Sequence, residues 1–198
     1  MEAVLVYIKH HIKWVWKVIE FVNAKLVILF YRKDLNEIDD KLKDRSGIEP
    51  YLYRRLLPSD VESLHSLINT QSKEDLKYFN PHGFDLTSLK KQFKNDSLIM
   101  MGVFDKEHLV GYFFLRFFFT RKCFVGRIID HSYRGKGIGR VMNQLMYKIS
   151  WDMNFRCLST ISRHNQLVMR AHSNNTNLVI RKELRNDYLL VEFLQDMS

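Results

Sequence analysis

Arg134-Gly135-Lys136-Gly137-Ile138-Gly139 is the stretch on which the reading of this chain turns. Before it runs Cys123-Phe124-Val125-Gly126-Arg127-Ile128-Ile129, which is apolar and strand-like. After it, Val141, Leu145 and Ile149, with Met142 and Met146, recur at helical i, i+4 spacing. Strand, glycine loop and helix in that order build an anion site. Glycines let the backbone turn sharply and come close to a ligand. The first N–H groups of a helix lack an intrahelical partner and point at the loop, where the helix dipole adds positive potential. Arg134, Lys136 and Arg140 add formal charge. The stretch reads as a cradle for a diphosphate.

Spacing excludes two phosphate loops. The Walker A frame is absent, and the dinucleotide fingerprint Gly-x-Gly-x-x-Gly does not fit Gly135, Gly137 and Gly139. The stretch does fit Gln/Arg-x-x-Gly-x-Gly/Ala, with Arg134, Gly137 and Gly139 at the fixed places. It thereby resembles the coenzyme A signature of the GNAT acyltransferase superfamily. The alternative is a plain glycine turn that starts a helix, and the flanking strand and helix weigh against it.

A chain of 198 residues suffices for one domain with a full core plus an appendage. Its 46% hydrophobic and 27% charged content excludes a disordered or fibrous chain. Cys123 and Cys157 sit in apolar runs, which reads as reduced buried thiols of a cytoplasmic protein. No zinc spacing of Cys and His occurs, and no metal is expected. The formal net charge of +9 suits an anionic ligand, an anionic membrane or nucleic acid. The basic residues are spread along the chain without a nucleic-acid motif, so nucleic acid is set aside.

The division expected is residues 1–48 as an N-terminal helix, short strand and charged connector, and 49–198 as the main domain. Over residues 3–22, Leu5, Ile8, Ile12, Val15, Ile19 and Val22 form one helical stripe, widened by Trp14, Val18 and Phe21. Lys9, Lys13, Lys17 and Glu20 break any apolar run long enough to span a membrane, and no signal-peptide pattern appears. Two coverings fit this helix. One is protein, within the chain or across a homodimer, and this is preferred. The other is an anionic membrane, with peripheral contact at its inner face. Leu26 to Tyr31 reads as a short strand, and Asp34 to Arg45 as a connector.

From Tyr51 the chain reads as strand, helices, a three-strand meander, glycine loop and helix, strand, short helix and closing hairpin. Ser59-x-x-Glu62 has the form of a capping box. Composition and periodicity give an α/β or α+β class. The resemblance covers about residues 51–194. It implies a GNAT-like mixed, twisted sheet with helices on both faces and a central strand pair that splays apart, with the N-terminal helix-strand appendage outside it.

The resemblance further implies an acetyl-CoA-dependent N-acetyltransferase acting on a primary amine of a small molecule, an amino sugar among the options. Backbone groups of Gly135, Lys136, Gly137, Ile138, Gly139 and Arg140 would hold the diphosphate. Ile128 and Ile129 match the strand positions whose backbone meets the pantetheine arm and thioester. Asn165 matches an Asn that contacts the cofactor, and also reads as a helix N-cap. Seven residues on, where the family has a Tyr serving the leaving thiolate, stands His172. Asp130, His131, His82 and His164 are the candidates for the base. A non-catalytic acyl-CoA-binding or interaction module is the competing reading, and the departure at His172 keeps it open.

Overall fold

The computed structural model describes residues 13–43, 50–172 and 176–195. Its strands are β1 (Leu52–Arg55), β2 (Leu98–Asp105), β3 (His108–Phe118), β4 (Lys122–Ile129), β5 (Arg156–Ser162), β6 (Leu178–Glu183) and β7 (Tyr188–Phe193). They form one sheet in the order β1-β2-β3-β4-β5-β7-β6. Every neighbouring pair is antiparallel except β4 and β5, which run parallel. The helices are α1 (Lys13–Asn36), α2 (Ile38–Lys43), α3 (Val61–Asn69), α4 (Lys73–Lys77), α5 (Leu86–Gln92), α6 (Ile138–Asp152) and α7 (Gln166–His172).

Alternation along the strands builds a core on each face of the sheet. Phe113, Leu115 and Phe117 of β3 join Val125 and Ile129 of β4 in one cluster. Met142, Leu145, Met146 and Ile149 of α6 cover that cluster, at the i, i+3, i+4, i+7 spacing of an amphipathic helix. Tyr112 and Phe114 point the other way, with Ile128, against Leu64 and Ile68 of α3 and Leu89 of α5. Helices on both faces of a mixed sheet are the expected architecture. Cys123 and Cys157 are both free, buried and opposite each other in the β4–β5 pair. Burial pushes the Cys157 thiol up to about 12 and Cys123 well above its usual value, so neither is a nucleophile at neutral pH.

Three local expectations are corrected. Leu26 to Tyr31 is not a strand but the middle of α1, which continues to Asn36. The connector holds the short helix α2, whose Ile38 is fully buried. The run Ser59-x-x-Glu62 makes no capping box. A 3₁₀ turn at Pro58–Asp60 precedes α3, and Asp60 accepts the Leu57 N–H at 2.7 Å and pairs with Arg54. Asp60 takes the N-cap place of α3 with no side-chain hydrogen bond to the helix, its carboxylate being engaged by Leu57 and Arg54. Of the helix expected over 3–22, the part before Lys13 lies outside the described residues, as do residues 173–175 of the polar loop expected after α7.

One face of α1 packs on the domain. Val27 and Leu35 are buried in the α6-side core, and the Tyr31 ring meets Phe155 edge-on at 4.7 Å. Asn23 acts as a short extension of the sheet. Its Nδ2 donates to the Phe117 carbonyl at 3.0 Å, and its Oδ1 accepts the Phe119 N–H at 3.1 Å. Asn23 is buried, so replacing it with Leu leaves a carbonyl and an N–H without partners. Asn23→Leu is expected to cost about 3 kcal/mol, at about 1–3 kcal/mol per unsatisfied buried group. Urea denaturation of wild type and variant checks it; equal midpoints would show that α1 is not anchored there.

Candidate active site

The site begins where two strands part. β4 and β5 pair only at Lys122↔Arg156, Cys123↔Cys157 and Phe124↔Leu158, although both strands continue. The Ser159 hydroxyl donates to the Val125 carbonyl at 3.0 Å, the last tie across the gap. The direction of the remaining β4 groups follows from the β3 ladder. The Asp130 N–H donates to the Val110 carbonyl, so alternation turns the N–H groups of Ile128 and Gly126 toward β3 as well. Those of Arg127 and Ile129 turn toward the gap. Of the two isoleucines expected to offer backbone to a ligand, Ile129 faces the cleft by main chain, while Ile128 is engaged in the sheet.

The glycine loop closes one end of the gap. Gly135 and Gly137 lie in the left-handed region, at φ of 76° and 83°, where a side chain strains the backbone. A Cβ at either would meet nothing within 4 Å, so the loop presents bare backbone to open space. Gly137 is the residue that opens α6, and no acidic residue sits in the helix's first turn. Ile138 and Gly139 carry N–H groups that no earlier carbonyl of the helix can take. The Arg140 N–H already donates to the Gly137 carbonyl at 3.0 Å. Lys136 turns outward, its Nζ 4.4 Å from the centre of the Tyr133 ring. Arg134 Nη2 pairs with Asp75 of α4 at 2.8 Å, linking the loop to the opposite wall.

The resulting cleft has a volume of about 1030 Å³ and is lined by β4, β5, the glycine loop, α4, α6 and α7. Arg127, Asn143 and Tyr147 form its floor. Arg127 Nε donates to Asn143 Oδ1 at 2.7 Å, and no carboxylate among the described residues pairs with it. A Cβ on Gly139 would come within 2.9 Å of Arg127 Nη1, so that glycine makes room for the guanidinium under the first turn of α6. Burial lowers the Arg127 pKa from its usual value, yet an arginine stays charged at neutral pH. Phe79, Asn80 and Phe114 line the far wall. Glu74 and Asp75 are the carboxylates among the lining residues. Burial works against the Asp75 charge, but hydrogen bonds from Ser72 and Arg134 hold its pKa below the usual value.

The sequence candidates divide on this geometry. Arg134, Gly135, Gly137, Gly139, Arg140, Ile128, Ile129, Asn165 and His172 all line the cleft. Asn165 caps α7 through a 3.2 Å bond from the Val168 N–H, so its capping and cleft-lining positions coexist. His172 ends α7 with its ring 5.2 Å from that of Phe193. Burial, reinforced by Arg127, lowers its pKa to about 4, so the ring is neutral at neutral pH and is not a reservoir of imidazolium protons. His164 also lines the cleft, at its exposed rim, with Nε2 3.1 Å from Asp187 Oδ2. Asp130 and His131 are not among the lining residues. Asp130 instead caps a 3₁₀ turn, accepting from the Ser132 N–H at 2.9 Å.

His82 is also outside the lining and is 9% exposed. Its Nδ1 lies 3.0 Å from the Gly83 carbonyl, which can only accept, so Nδ1 carries the proton. Nε2 is then the acceptor, and the Tyr112 hydroxyl donates to it at 2.8 Å. With both nitrogens engaged, His82 pins the Phe79–Phe84 loop to β3 and cannot take a proton from an amine in the cleft. Arg127, Asn143, Tyr147, Glu74 and Asp75 were absent from the sequence candidates. Only Arg127 carried a signal, as a charge inside an otherwise apolar strand.

No protein-family model matches the chain, and no curated protein sequence does. Solved structures do match. The PaiA N-acetyltransferase from Thermoplasma acidophilum, in complex with coenzyme A, aligns with a TM-score of 0.62 at 16% identity, over 73% of this chain and 98% of that one. The GNAT domain of S. lividans PAT aligns at 0.62 and 11% identity, over 72% and 89%. The ribosomal-protein-S5-alanine acetyltransferase from Vibrio fischeri aligns at 0.59 and 15% identity, over 76% and 96%. The chain has the GNAT fold.

The buried His82 predicts an acid dependence of stability. Desolvation by burial lowers its pKa to about 4 in the fold, against an ordinary 6.5. Neutral His82 therefore stabilises the fold above about pH 6.5, and that contribution is lost as pH falls toward 4. At about 1.4 kcal/mol per pH unit, wild type should lose about 3 kcal/mol more than His82→Phe between pH 7 and pH 4. Urea denaturation at the two pH values measures the difference, and parallel losses would contradict the assignment.

Proposed function

We propose that this chain is an acetyl-CoA-dependent N-acetyltransferase that moves an acetyl group to the primary amine of a small molecule. The observation that carries the reading is the bare, left-handed glycine loop at the N-terminus of α6, opening beside a β4 edge that β5 has left unpaired. A diphosphate fits the first, and a pantetheine arm bonding like an added strand fits the second. The N–H groups of Ile138 and Gly139, with the charges of Arg140 and Arg134, hold the diphosphate. The main chain of Arg127 and Ile129 holds the arm, and one of their N–H groups meets the thioester oxygen as it gains charge.

Arg127 and His172 serve the sulfur side. Because His172 is neutral, stabilisation of the leaving thiolate rests on the fixed charge of Arg127, with the His172 ring N–H as a donor. The acceptor enters from the opposite wall. Glu74 and Asp75 attract the amine as its ammonium. Once neutral it attacks the thioester carbon, the C–S bond breaks, and the proton shed by nitrogen balances the leaving thiolate. Phe79 and Phe114 present flat apolar surface suited to a ring-bearing amine, an amino sugar among them. The reading of a non-catalytic acyl-CoA-binding module has one observation in its favour. Asp130, His131 and His82 all lie outside the cleft, so no histidine base from that set faces the acceptor.

Calorimetry with acetyl-CoA, followed by thiol release across a panel of amines, tests the proposal. Wild type should bind and turn over. Gly137→Val places a β-branched side chain at a φ of 83° and should lose binding, with circular dichroism confirming that the domain is folded. Arg127→Met should lower kcat on the order of 10²-fold, as loss of one oriented charge does, with acetyl-CoA affinity changed far less. Binding without turnover of any amine would establish the non-catalytic reading instead.

A further inference from the structure

We propose that the outward face of α1 docks on an anionic membrane surface. At 100° per residue, Trp14, Val18, Phe21, Val22 and Leu29 fall within an arc of about 100°. Trp14 is 71% exposed, Phe21 63% and Leu29 74%, on a helix whose other face is anchored through Asn23 and Val27. Lys17, Lys25, Arg32 and Lys33 are exposed on or beside the same arc. The two acids of α1 are elsewhere: Glu20 approaches Arg116 at 3.8 Å, and Asp34 is half-buried. The face is therefore apolar and cationic with no anion on it.

That charge pattern selects the occupant. A second copy meeting this face about a two-fold axis would set the same cations against one another. An anionic lipid surface instead receives both components: aromatic and aliphatic side chains enter the headgroup boundary while lysines reach the phosphates. Lys25 already folds back over Phe21, its Nζ 5.4 Å from the ring centre, as a side chain able to lift its charge past an apolar neighbour. No described helix is long and apolar enough to cross a membrane, so the contact is one of lying on the surface. Asn23 and Tyr31 fix the middle of α1 where β3 ends, at Phe117 and Phe119. Glu20 of α1 approaches Arg116, whose guanidinium donates to the carbonyl of Pro81 in the cleft wall, so a docked helix lies beside that wall.

The test uses the full chain with vesicles of phosphatidylcholine alone, or of phosphatidylcholine with phosphatidylglycerol, at low and high salt. Wild type should sediment with the anionic vesicles and be released by salt. Lys17→Glu/Lys25→Glu should weaken binding about ten-fold or more, since basic residues near such a surface are attracted to it and salt screens that attraction. Phe21→Ser/Leu29→Ser should weaken it comparably, and because these side chains are exposed both double variants should melt with wild type. Absence of vesicle binding, or binding unchanged in the double variants, would overturn the proposal. So would a dimer in sedimentation velocity that Phe21→Ser/Leu29→Ser splits, which would make the face a self-contact.

Discussion

Everything at the candidate site depends on β4 and β5 pairing for three residues and then separating. A strand edge opened in mid-sheet leaves polar backbone without its ladder partner, and such groups must be met by something else. Two are met by side chains. Ser159 takes the Val125 carbonyl, and Arg134 approaches the Ile129 carbonyl at 3.4 Å. The separation is held from both sides. Arg127 and Asn143 occupy the space beneath α6, while β5 is bound to β7 from Cys157 to Ser162. Glu192 of β7, 5% exposed, receives Arg156 from β5 and Arg181 from β6, each at 2.6 Å. Those hydrogen bonds, Arg156 first, keep the carboxylate ionised despite burial. The last three strands thus behave as one plate, and the gap is the seam between it and the rest of the sheet.

The order of strands and helices from Leu52 to Phe193 was legible because each element carried its own period and was bounded by turn residues. The glycine loop was legible for a different reason: its residues answer to backbone geometry, and sequence spacing reports backbone directly. Gly135 and Gly137 adopt the left-handed conformations that only their residue type accepts at little cost. The helix from Lys13 to Asn36 was legible only in its first half. Leu26 to Tyr31 is a continuous apolar run, which periodicity cannot divide between strand and helix. Tertiary contacts decide it. Val27 and Tyr31, one helical turn apart, both reach the core, while Leu29 between them, which a strand would place on the same face, is exposed.

Side chains of the cleft were less legible, because their roles come from neighbours remote in sequence. His82 had the composition of a base, but its burial and its bond from Tyr112, thirty residues away, make it a pin for the aromatic loop. Asp130 had the position of a base, but Ser132, two residues on, claims it. Glu74 and Asp75 had no motif at all. They enter the cleft because α4 is drawn to the glycine loop by the Arg134–Asp75 pair. Arg127 shows the limit most clearly. A charge in an apolar strand signals that something unusual lies beside it, but only Gly139 and Asn143 together reveal a pocket made for it.

The formal charge of +9 now resolves into places rather than a sum. In the cleft, Arg127, Arg134 and Arg140 line the loop and floor, while the opposite wall carries the carboxylates Glu74 and Asp75 together with Lys77. On the proposed function, the anionic cofactor would be drawn to the loop and floor and the acceptor amine to the side that carries the carboxylates. Arg134 and Asp75 bridge those sides, so a ligand competing for Arg134 also alters the electrostatic surroundings of α4. The cations Lys17, Lys25, Arg32 and Lys33 of α1 are exposed and outside the cleft lining. Asn23 and Tyr31 anchor the helix at the Phe117 to Phe119 end of β3, and Glu20 approaches Arg116, which reaches the Pro81 carbonyl of the cleft wall at 3.4 Å. No described residue of α1 lines the cleft, so its outward cations can be replaced without changing a cleft side chain.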